Sequence, residues 1–195
     1  MFFEHTTADL FFYYSFNFIA HMKKIVLGLF LITGLTAATI AQNSEGRIIP
    51  SVDVKTIDGK TFNTGKIAND GKPMIIDFWA TWCKPCKKEL DAISEVYADW
   101  QKETGVKLIA ISIDEARSSA KVGPDAKTHG WNYEIYIDEN SDFKRAMNVG
   151  EVVPHVFIVN GKGEIVWHHE GFVDGGEDHI YEILKKVAAG EKITE

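Results

Sequence analysis

Residues 77–87 read DFWATWCKPCK, and this stretch contains the only two cysteines of the 195-residue chain, Cys83 and Cys86. A permanent disulfide between them would close a two-residue loop. It would stabilise the fold little, because that stabilisation grows with loop length. No other cysteine is present to pair with either thiol. The spacing therefore predicts a disulfide that forms and reopens during a reaction.

The sequence on either side of the cysteines predicts a strand followed by a helix. Residues 74–79 form a short apolar run with β-branched and aromatic side chains, which is typical of a buried central strand. Residues 84 to about 103 carry apolar side chains at helical spacing. Pro85 fits the first turn of this helix, where its missing N–H costs no hydrogen bond. The cysteine pair therefore lies at a strand-to-helix junction.

The two cysteines are predicted to have different roles. Cys83 stands at the start of the helix, where unpaired backbone N–H groups and the helix dipole favour a thiolate. Since only a thiolate attacks a disulfide, we expect Cys83 to be the nucleophile. Cys86 lies one turn further in and is more buried, so it should resolve the mixed disulfide.

Strands and helices alternate along the rest of the chain. Asp58-Gly59 is a two-residue hairpin signal, and a helix candidate over residues 115–129 is weakened by Gly123-Pro124. This alternation predicts an α/β fold whose central sheet is covered on both faces by helices. The predicted strands are 51–56, 60–63, 74–79, 106–113, 133–137, 156–160 and 164–169, and the predicted helices are 84–103, 115–129, 141–147 and 178–189.

The beginning of the chain is predicted to lie outside the folded domain, which we place at residues 50–195. Residues 22–41 combine a basic start, an uncharged apolar run and a small-residue end, which is typical of a secretory signal peptide. An uncleaved membrane anchor is the alternative, although the run is short for a membrane span. Residues 1–21 lack a basic start, so we interpret Met22 as the true start and these residues as a non-native upstream extension. Residues 42–49 are predicted to be a polar linker.

Composition and spacing exclude some partners and cofactors. The net charge of −7 argues against nucleic acid, because a phosphate backbone needs a basic face. A C-x-x-C pair is also half of a zinc site, but the chain has no further cysteine to complete it. His129, His168 and His169 could also suggest a metal, but the adjacent pair would point to opposite faces of a strand. We therefore expect no metal.

The segment from Asp77 to Lys87 resembles the active-site motif of the thioredoxin family, with tryptophans beside the cysteines and a distant Val-Pro. With its N-terminal β-hairpin and an αβ unit inserted near residues 115–140, the chain resembles the exported TlpA/ResA-like branch over residues 48–190. The resemblance implies a thioredoxin fold with a central mixed β-sheet, and the activity of a thiol:disulfide oxidoreductase without a cofactor. It also implies a periplasmic monomer, which residues 22–41 would anchor to the membrane if the signal is not cleaved. That monomer would reduce disulfides of exported proteins, as in cytochrome c maturation, with a membrane thiol transporter as electron donor.

The resemblance assigns roles to two acidic residues. Asp77 would be the buried proton acceptor that helps to deprotonate Cys86, and a carboxylate inside an apolar strand is costly without such a role. The alternative is a solvent-facing strand residue. Glu89, three residues after Cys86, would share its helical face and influence the acidity of the cysteines. The alternative is an exposed helix charge.

Four further residues are expected to form the substrate-binding surface. By resemblance, Pro154 would follow a cis peptide bond and expose the backbone of Val153 to a substrate strand. A trans proline at the start of a strand is the alternative. Trp82 would form part of the substrate-facing surface. His155 stands where the family commonly has Thr. It would lie near the sulfurs and make their reactivity pH-dependent, or else be a polar surface residue.

Two other functions are compatible with these residues. The first is a disulfide oxidase or isomerase, because direction is set by the potential relative to the partner, and about 30 mV corresponds to only ~1.4 kcal/mol. The Lys84-Pro85 dipeptide between the cysteines does not decide so small a difference. The second is a copper-binding chaperone that uses Cys83, Cys86 and His155, because soft thiolates favour Cu(I).

Overall fold

One mixed sheet runs through residues 46–194, which are the residues that the computed structural model describes. Within that range, the helices cover both faces of the sheet. In chain order the elements are β1 Arg47–Ile48, β2 Asp53–Thr56, β3 Thr61–Asn63, β4 Met74–Trp79, α1 Lys84–Thr104, β5 Lys107–Ser112, α2 Val122–His129, β6 Glu134–Ile137, α3 Asp142–Ala146, β7 His155–Val159, β8 Glu164–Glu170 and α4 Gly176–Ala188.

The strand order across the sheet is β1-β8-β7-β4-β5-β6-β2-β3. Strands β4, β5 and β6 run parallel to one another, and the other neighbours pair antiparallel. Every residue of β4 is buried, as expected for a central strand covered on both faces. The prediction of a central mixed sheet flanked by helices is therefore confirmed.

Alternation along β4 separates two faces of the core. Ile75 and Trp79 pack with residues of α1, α2 and α4 on one face. Ile76 and Phe78 pack with residues around α3 on the other. Because successive side chains of a strand point to opposite faces, Asp77 shares the face of Ile75 and Trp79. Its carboxylate therefore lies on the side of the sheet that α1 covers.

Helix α1 begins and ends close to the predicted residues. Cys83 caps its N-terminus, since its sulfur accepts a hydrogen bond from the backbone N–H of Cys86 at 3.2 Å. Pro85 occupies the first turn, where no intrahelical bond is lost. The helix ends at Gly105, whose φ of +69° is the left-handed conformation that glycine adopts at helix ends. The buried inner face includes Leu90, Ile93, Tyr97 and Trp100.

Helix α2 starts later than predicted. The predicted helix over residues 115–129 is wrong in its first half, where a turn and a short 3₁₀ segment, Ser119–Lys121, precede Val122. Gly123 and Pro124 then fall within the first turn of α2. A proline is tolerated there because the first backbone N–H groups of a helix have no intrahelical partner. The Gly-Pro pair thus marks the start of the helix rather than its middle.

Residues 47–49, which we assigned to the linker, are part of the folded domain. Strand β1 pairs antiparallel with β8, with Arg47 opposite Ile165, and Ile49 is buried. The domain boundary at residue 50 is therefore too late. A two-residue strand carries almost no periodicity of its own, and its pairing depends on β8, which is far away in sequence.

The predicted N-terminal hairpin is present and extends the sheet. Strands β2 and β3 pair around a tight turn, and Gly59 in that turn has a φ of +82°, which a β-branched residue would adopt only with strain. Strand β2 also pairs antiparallel with β6, Lys55 opposite Ile137. The hairpin and the αβ unit formed by α2 and β6 therefore build one side of the sheet together.

Several predictions concern residues outside the described range. The upstream extension at 1–21, the signal peptide or anchor at 22–41, and the linker up to residue 45 stay predictions. Among residues 46–194, no helix is long and apolar enough to cross a bilayer.

Gly161, in the turn between β7 and β8, packs closely against the backbone of Gly71. A substitution at Gly161 tests this contact. A Cβ atom at this position would lie 1.8 Å from the backbone carbonyl oxygen of Gly71. Because backbone cannot move aside cheaply, Gly161→Ala is expected to lower the free energy of unfolding by about 1–3 kcal/mol. Urea denaturation measures this loss.

The control is Lys162→Ala, at the exposed neighbour in the same turn. It should change the free energy of unfolding by less than about 0.5 kcal/mol. Equal effects of the two substitutions would contradict the close approach of these turns.

Candidate active site

A disulfide joins Cys83 and Cys86 at the N-terminus of α1. The chain reaches it through a short turn directly after β4, and the backbone N–H of Cys83 donates to the carbonyl oxygen of Ala80 at 2.9 Å. The cysteine pair therefore stands at the carboxyl end of the central strand. The predicted strand-to-helix junction is present.

Access to the two cysteines is unequal. Cys83 is 4% exposed, whereas Cys86 is fully buried. A protein substrate can therefore reach the sulfur of Cys83 but not that of Cys86. The N-terminal position of Cys83 on α1 also favours its thiolate once the disulfide is reduced. Both observations support Cys83 as the nucleophile and Cys86 as the resolving thiol.

The loop before β7 packs against the disulfide. The Val153–Pro154 peptide bond is cis, as expected from the resemblance, and Pro154 is buried. The sulfur of Cys83 lies 3.7 Å from the carbonyl oxygen of Val153. In the oxidised protein this is a contact and not a hydrogen bond, because the sulfur carries no proton. The backbone of Val153 thus lies directly against the sulfur of Cys83.

Asp77 is completely buried. Neither of its carboxylate oxygens has a hydrogen-bond partner among the described residues. Burial raises the pKa of Asp77 from 3.8 to about 8, because a charged carboxylate loses its hydration there. The alternative of a solvent-facing strand residue is therefore wrong. A carboxyl group whose pKa lies near neutrality can accept and release a proton under physiological conditions.

Glu89 is also buried, with 2% of its surface exposed. Burial is the main cause that raises its pKa from 4.5 to about 9, and the nearby charges of Asp77 and Glu177 contribute to the same shift. The alternative of an exposed helix charge is therefore wrong. Since Glu89 and Asp77 interact, they take up and release protons as a pair.

Asp114 is a site residue that the sequence reasoning missed. It is fully buried, and its carboxylate accepts hydrogen bonds from the backbone N–H and the hydroxyl of Thr81, at 2.8 and 2.7 Å. The hydroxyl of Ser112 donates to the same carboxylate at 2.8 Å. Asp114 therefore holds the turn that leads into Cys83. A Ser-x-Asp sequence directly after a buried strand next to β4 was the available signal.

Exposed apolar side chains surround the entrance to Cys83. Trp82 is 66% exposed and precedes Cys83 directly, and Val152 in the neighbouring loop is 49% exposed. Val173, 64% exposed, lines a cavity of about 520 Å³ together with Lys84 and the residues around it. Large exposed apolar residues that cluster around one point mark a surface for another molecule. That Trp82 faces the substrate stays a prediction.

His155 is the predicted site residue that the structure places elsewhere. It alternates along β7 with Phe157, and their rings stack at 4.4 Å between centroids. Phe157 belongs to the core on the sheet face opposite the cysteines, so the imidazole of His155 points away from the sulfurs. Burial lowers its pKa to about 4. This placement corrects the expectations that His155 lies near the sulfurs or completes a copper site with them.

The structure thus brings together Cys83, Cys86, Val153 and Pro154, with Asp77 and Glu89 buried on the same face of the sheet. Within residues 46–194, no group of three or more His, Cys, Asp or Glu side chains is arranged to hold a metal ion.

Known proteins resemble this chain over most of the described residues. The family model described as AhpC/TSA family matches residues 46–168. A curated relative, the thiol-disulfide oxidoreductase ResA of Bacillus subtilis, is 28% identical over 148 residues, which cover 76% of this chain and 78% of that protein.

Solved structures show the same architecture. A thioredoxin-like protein from Porphyromonas gingivalis shares 55% sequence identity at a TM-score of 0.65, over 72% of this chain and 92% of that one. StoA from Bacillus subtilis shares 26% identity at a TM-score of 0.53, over 69% of this chain and 98% of that one. The sheet and helices described above are therefore those of the predicted thioredoxin fold.

Proposed function

This chain belongs to the AhpC/TSA family and has a thioredoxin-like fold, and from that premise we propose that it reduces disulfide bonds of exported proteins. Its likeness to the ResA thiol-disulfide oxidoreductases confirms the predicted enzyme class. We propose, beyond this enzyme class, that the protein lies in the periplasm, that it works as a reductant, and that it has the partners named below.

The observation that carries the proposal is the arrangement of the disulfide itself. Cys83 caps α1 beside the carbonyl oxygen of Val153, and Cys86 lies buried behind it. A partner protein can therefore reach the sulfur of Cys83, whereas the sulfur of Cys86 can react only with Cys83 inside the protein. A structural disulfide needs no such difference in access.

The arrangement supports two successive exchanges. In the reduced protein, the thiolate of Cys83 attacks one sulfur of the substrate disulfide, the substrate S–S bond breaks, and one substrate thiolate leaves. The thiol of Cys86 then gives its proton to the carboxylate of Asp77 and attacks the sulfur of Cys83. The second substrate thiolate leaves and the Cys83–Cys86 disulfide forms. Two electrons have passed to the substrate.

The surface around Cys83 suits an extended polypeptide substrate. The backbone of Val153, beside the sulfur of Cys83, would pair with a substrate strand through main-chain hydrogen bonds, which recognise shape without demanding a particular sequence. The exposed apolar side chains of Trp82, Val152 and Val173 would cover the segment that flanks the substrate cysteine. A partner of this kind agrees with a task on unfolded or partly folded exported proteins.

We further propose the partners that the resemblance implies. The substrates are disulfide-containing exported proteins, including apocytochromes c during cytochrome c maturation. In an oxidising compartment the disulfide of this chain must be reduced again after each cycle, and a membrane thiol transporter supplies those electrons. The protein acts as a periplasmic monomer, and residues 22–41 hold it at the membrane if the signal is not cleaved.

Trapping of partners in the native host tests this proposal. Cys86→Ser leaves Cys83 able to attack but removes the thiol that resolves the mixed disulfide. We expect exported proteins with cysteine pairs, apocytochromes c among them, to accumulate on Cys83 and to be identified by mass spectrometry. Capture by a Cys83→Ser variant, with none by Cys86→Ser, would reverse the assigned roles.

The direction of electron flow is tested separately by equilibration with glutathione. A reductant should have a potential near the thioredoxin end of the range, about −270 mV, rather than near the strongly oxidising end at about −120 mV. A value at the oxidising end would favour the oxidase alternative. Turnover of a peroxide without any disulfide exchange would contradict the proposal as a whole.

A further inference from the structure

Three carboxyl groups from separate elements share an unusual feature. Asp77 on β4, Glu89 on α1 and Glu177 at the start of α4 each have a solvent-shielded oxygen without a hydrogen-bond partner in the described part of the chain. Buried polar atoms in native proteins are nearly always hydrogen-bonded, so each exception requires an explanation. The shielded oxygen of Asp125 on α2 also lacks a hydrogen bond, but Lys87 lies 3.5 Å from it. The three remaining carboxyl groups require a common explanation.

The three groups form a gradient of exposure from the core outward. Asp77 is completely buried and Glu89 is 2% exposed, whereas Glu177 is half-buried at the surface end. Helices α1 and α4 pack in the same core cluster, and Glu89 interacts electrostatically with both Asp77 and Glu177. Glu89 therefore stands between the innermost group and the outermost one.

Glu177 lies at the surface end of the three groups. It is in the first turn of α4, where the helix dipole and the unpaired backbone N–H groups stabilise a negative charge. The two inner groups are buried, and burial favours their neutral forms. A proton on the inner pair thus has a third carboxyl group next to it on the way to water.

The two lysines that precede Glu89 on α1 do not offset charge on the inner pair. Lys87 is 3.5 Å from Asp125, and Lys88 is 3.8 Å from Asp174, so both face other carboxylates. Protonation is a way to relieve a negative charge on the pair.

Two further titratable groups face the pair. Tyr133 interacts with Asp77, but its hydroxyl donates to the carbonyl oxygen of Leu90 at 2.9 Å and is occupied by that bond. Cys86, one turn before Glu89 on α1, is the proton donor of the reaction. Neither group offers a route to solvent.

We propose that Glu177 is the outermost carboxyl group of a proton path that runs from Asp77 through Glu89 to water. This inference rests on the proposed function, because the proton is the one that Cys86 loses when it attacks Cys83. In that step the Cys86–Cys83 bond forms, the bond between Cys83 and the substrate sulfur breaks, and Asp77 holds the proton. The proton then moves to Glu89, next to Glu177, and finally to water, which frees Asp77 to accept a proton in the next cycle.

Glu177 is a positioning residue and not a catalytic one, because it acts only through Glu89 and Asp77. Its removal should therefore slow proton exit without changing the sulfur chemistry. Small buffer molecules that carry protons should partly replace it, whereas a merely structural residue would show no such replacement.

The test compares Glu177→Gln with Asp178→Asn in the full chain. Asp178 is the next residue in the same first turn and is exposed. Its replacement by asparagine removes the same charge as Glu177→Gln, so this variant is a matched control. Cys83 is loaded with glutathione as a mixed disulfide, and resolution by Cys86 is followed in single turnover from pH 6 to 9. We expect Glu177→Gln to slow resolution at pH 7 by about 10-fold, and concentrated imidazole buffer to restore most of the rate. Asp178→Asn should match the unchanged protein, and Glu177→Asp should recover part of the rate.

Two results overturn the proposal. One is a Glu177→Gln rate that equals the Asp178→Asn rate at every pH. The other is a slower rate that no buffer concentration restores, which assigns Glu177 a purely electrostatic or structural role. The proposed function fails in a different way: the unchanged protein would then not resolve the mixed disulfide at all. A melting temperature for each variant identifies any loss of folding.

Discussion

Cys83→Ser is expected to abolish disulfide reduction, with turnover of a small disulfide falling by at least about 10³-fold. A serine hydroxyl is not ionised at neutral pH and forms no disulfide, so neither the attack nor the mixed intermediate is possible. Cys86→Ser should behave differently, because Cys83 remains the accessible sulfur. That variant should form one mixed disulfide per molecule and then stop.

The measurement is the release of substrate thiol over time, together with the intact mass of the protein. Lys102→Ser is a suitable control, since it places the same residue at an exposed position near the other end of α1, and it should retain full activity. A Cys83→Ser variant that forms a mixed disulfide through Cys86 would show that Cys86 is the accessible nucleophile. The roles drawn from the helix cap and from the burial of Cys86 would then be wrong.

Asp77→Asn is expected to stabilise the oxidised protein at pH 8 by on the order of 4 kcal/mol. Burial raises the pKa of Asp77 from 3.8 to about 8, so the folded protein holds this proton more tightly than the unfolded chain does. The stabilisation by the neutral carboxyl is fully present below about pH 4. It is lost as the pH rises through the folded value of about 8. An asparagine has no proton to lose, so this part of the pH dependence should disappear.

Urea unfolding of the oxidised protein between pH 4 and 9 measures this difference. Asp99→Asn, an exposed position on α1, is the matched control and should leave the pH dependence unchanged. The same Asp77→Asn protein should resolve mixed disulfides more slowly, by about 10²-fold at pH 7, because it lacks the proton acceptor. An unaltered pH dependence of stability would show that Asp77 is hydrated in the folded protein, contrary to its burial.

The two predictions are linked by one property of the fold. An ionisable group in the core lowers stability at neutral pH, and the same burial brings its pKa into the range where it can exchange protons during the reaction. The variant that is most stable is therefore expected to be a slower enzyme. Such a trade-off between stability and activity is common at sites whose chemistry requires an energetically unfavourable environment.

Local sequence predicted the parts of the site whose geometry depends on neighbours in the chain. The run from Met74 to Trp79 predicted β4, and Pro85 together with the cysteine spacing predicted the start of α1. Both follow from interactions over a few residues, such as alternating burial and the first helical turn. The cis bond before Pro154 was expected from the family resemblance and not from local pattern.

Features that depend on distant pairing were missed or misplaced. Strand β1 is too short to show periodicity, and only its pairing with β8 brings Arg47 and Ile48 into the sheet. His155 follows Pro154 directly, but the alternation of β7 turns its ring to the opposite face of the sheet, onto Phe157. Asp114 was passed over because nothing near it in sequence shows that its carboxylate meets Thr81.

The sequence by itself predicted the chemistry, because two thiols separated by two residues at a helix start, with no further cysteine in the chain, favour disulfide exchange over a metal site. It also predicted the order of strands and helices from β2 onward, which follows from hydrophobic period and turn residues. Only the tertiary structure decided which groups surround the sulfurs. The burial of Asp77 and Glu89, the place of Glu177 beside them and the turn of His155 away from the cysteines depend on how α1 and α4 pack on the sheet. Packing sets how polar the surroundings of each carboxyl group are and which other groups lie close enough to exchange a proton with it. These properties belong to the folded molecule rather than to any segment of it.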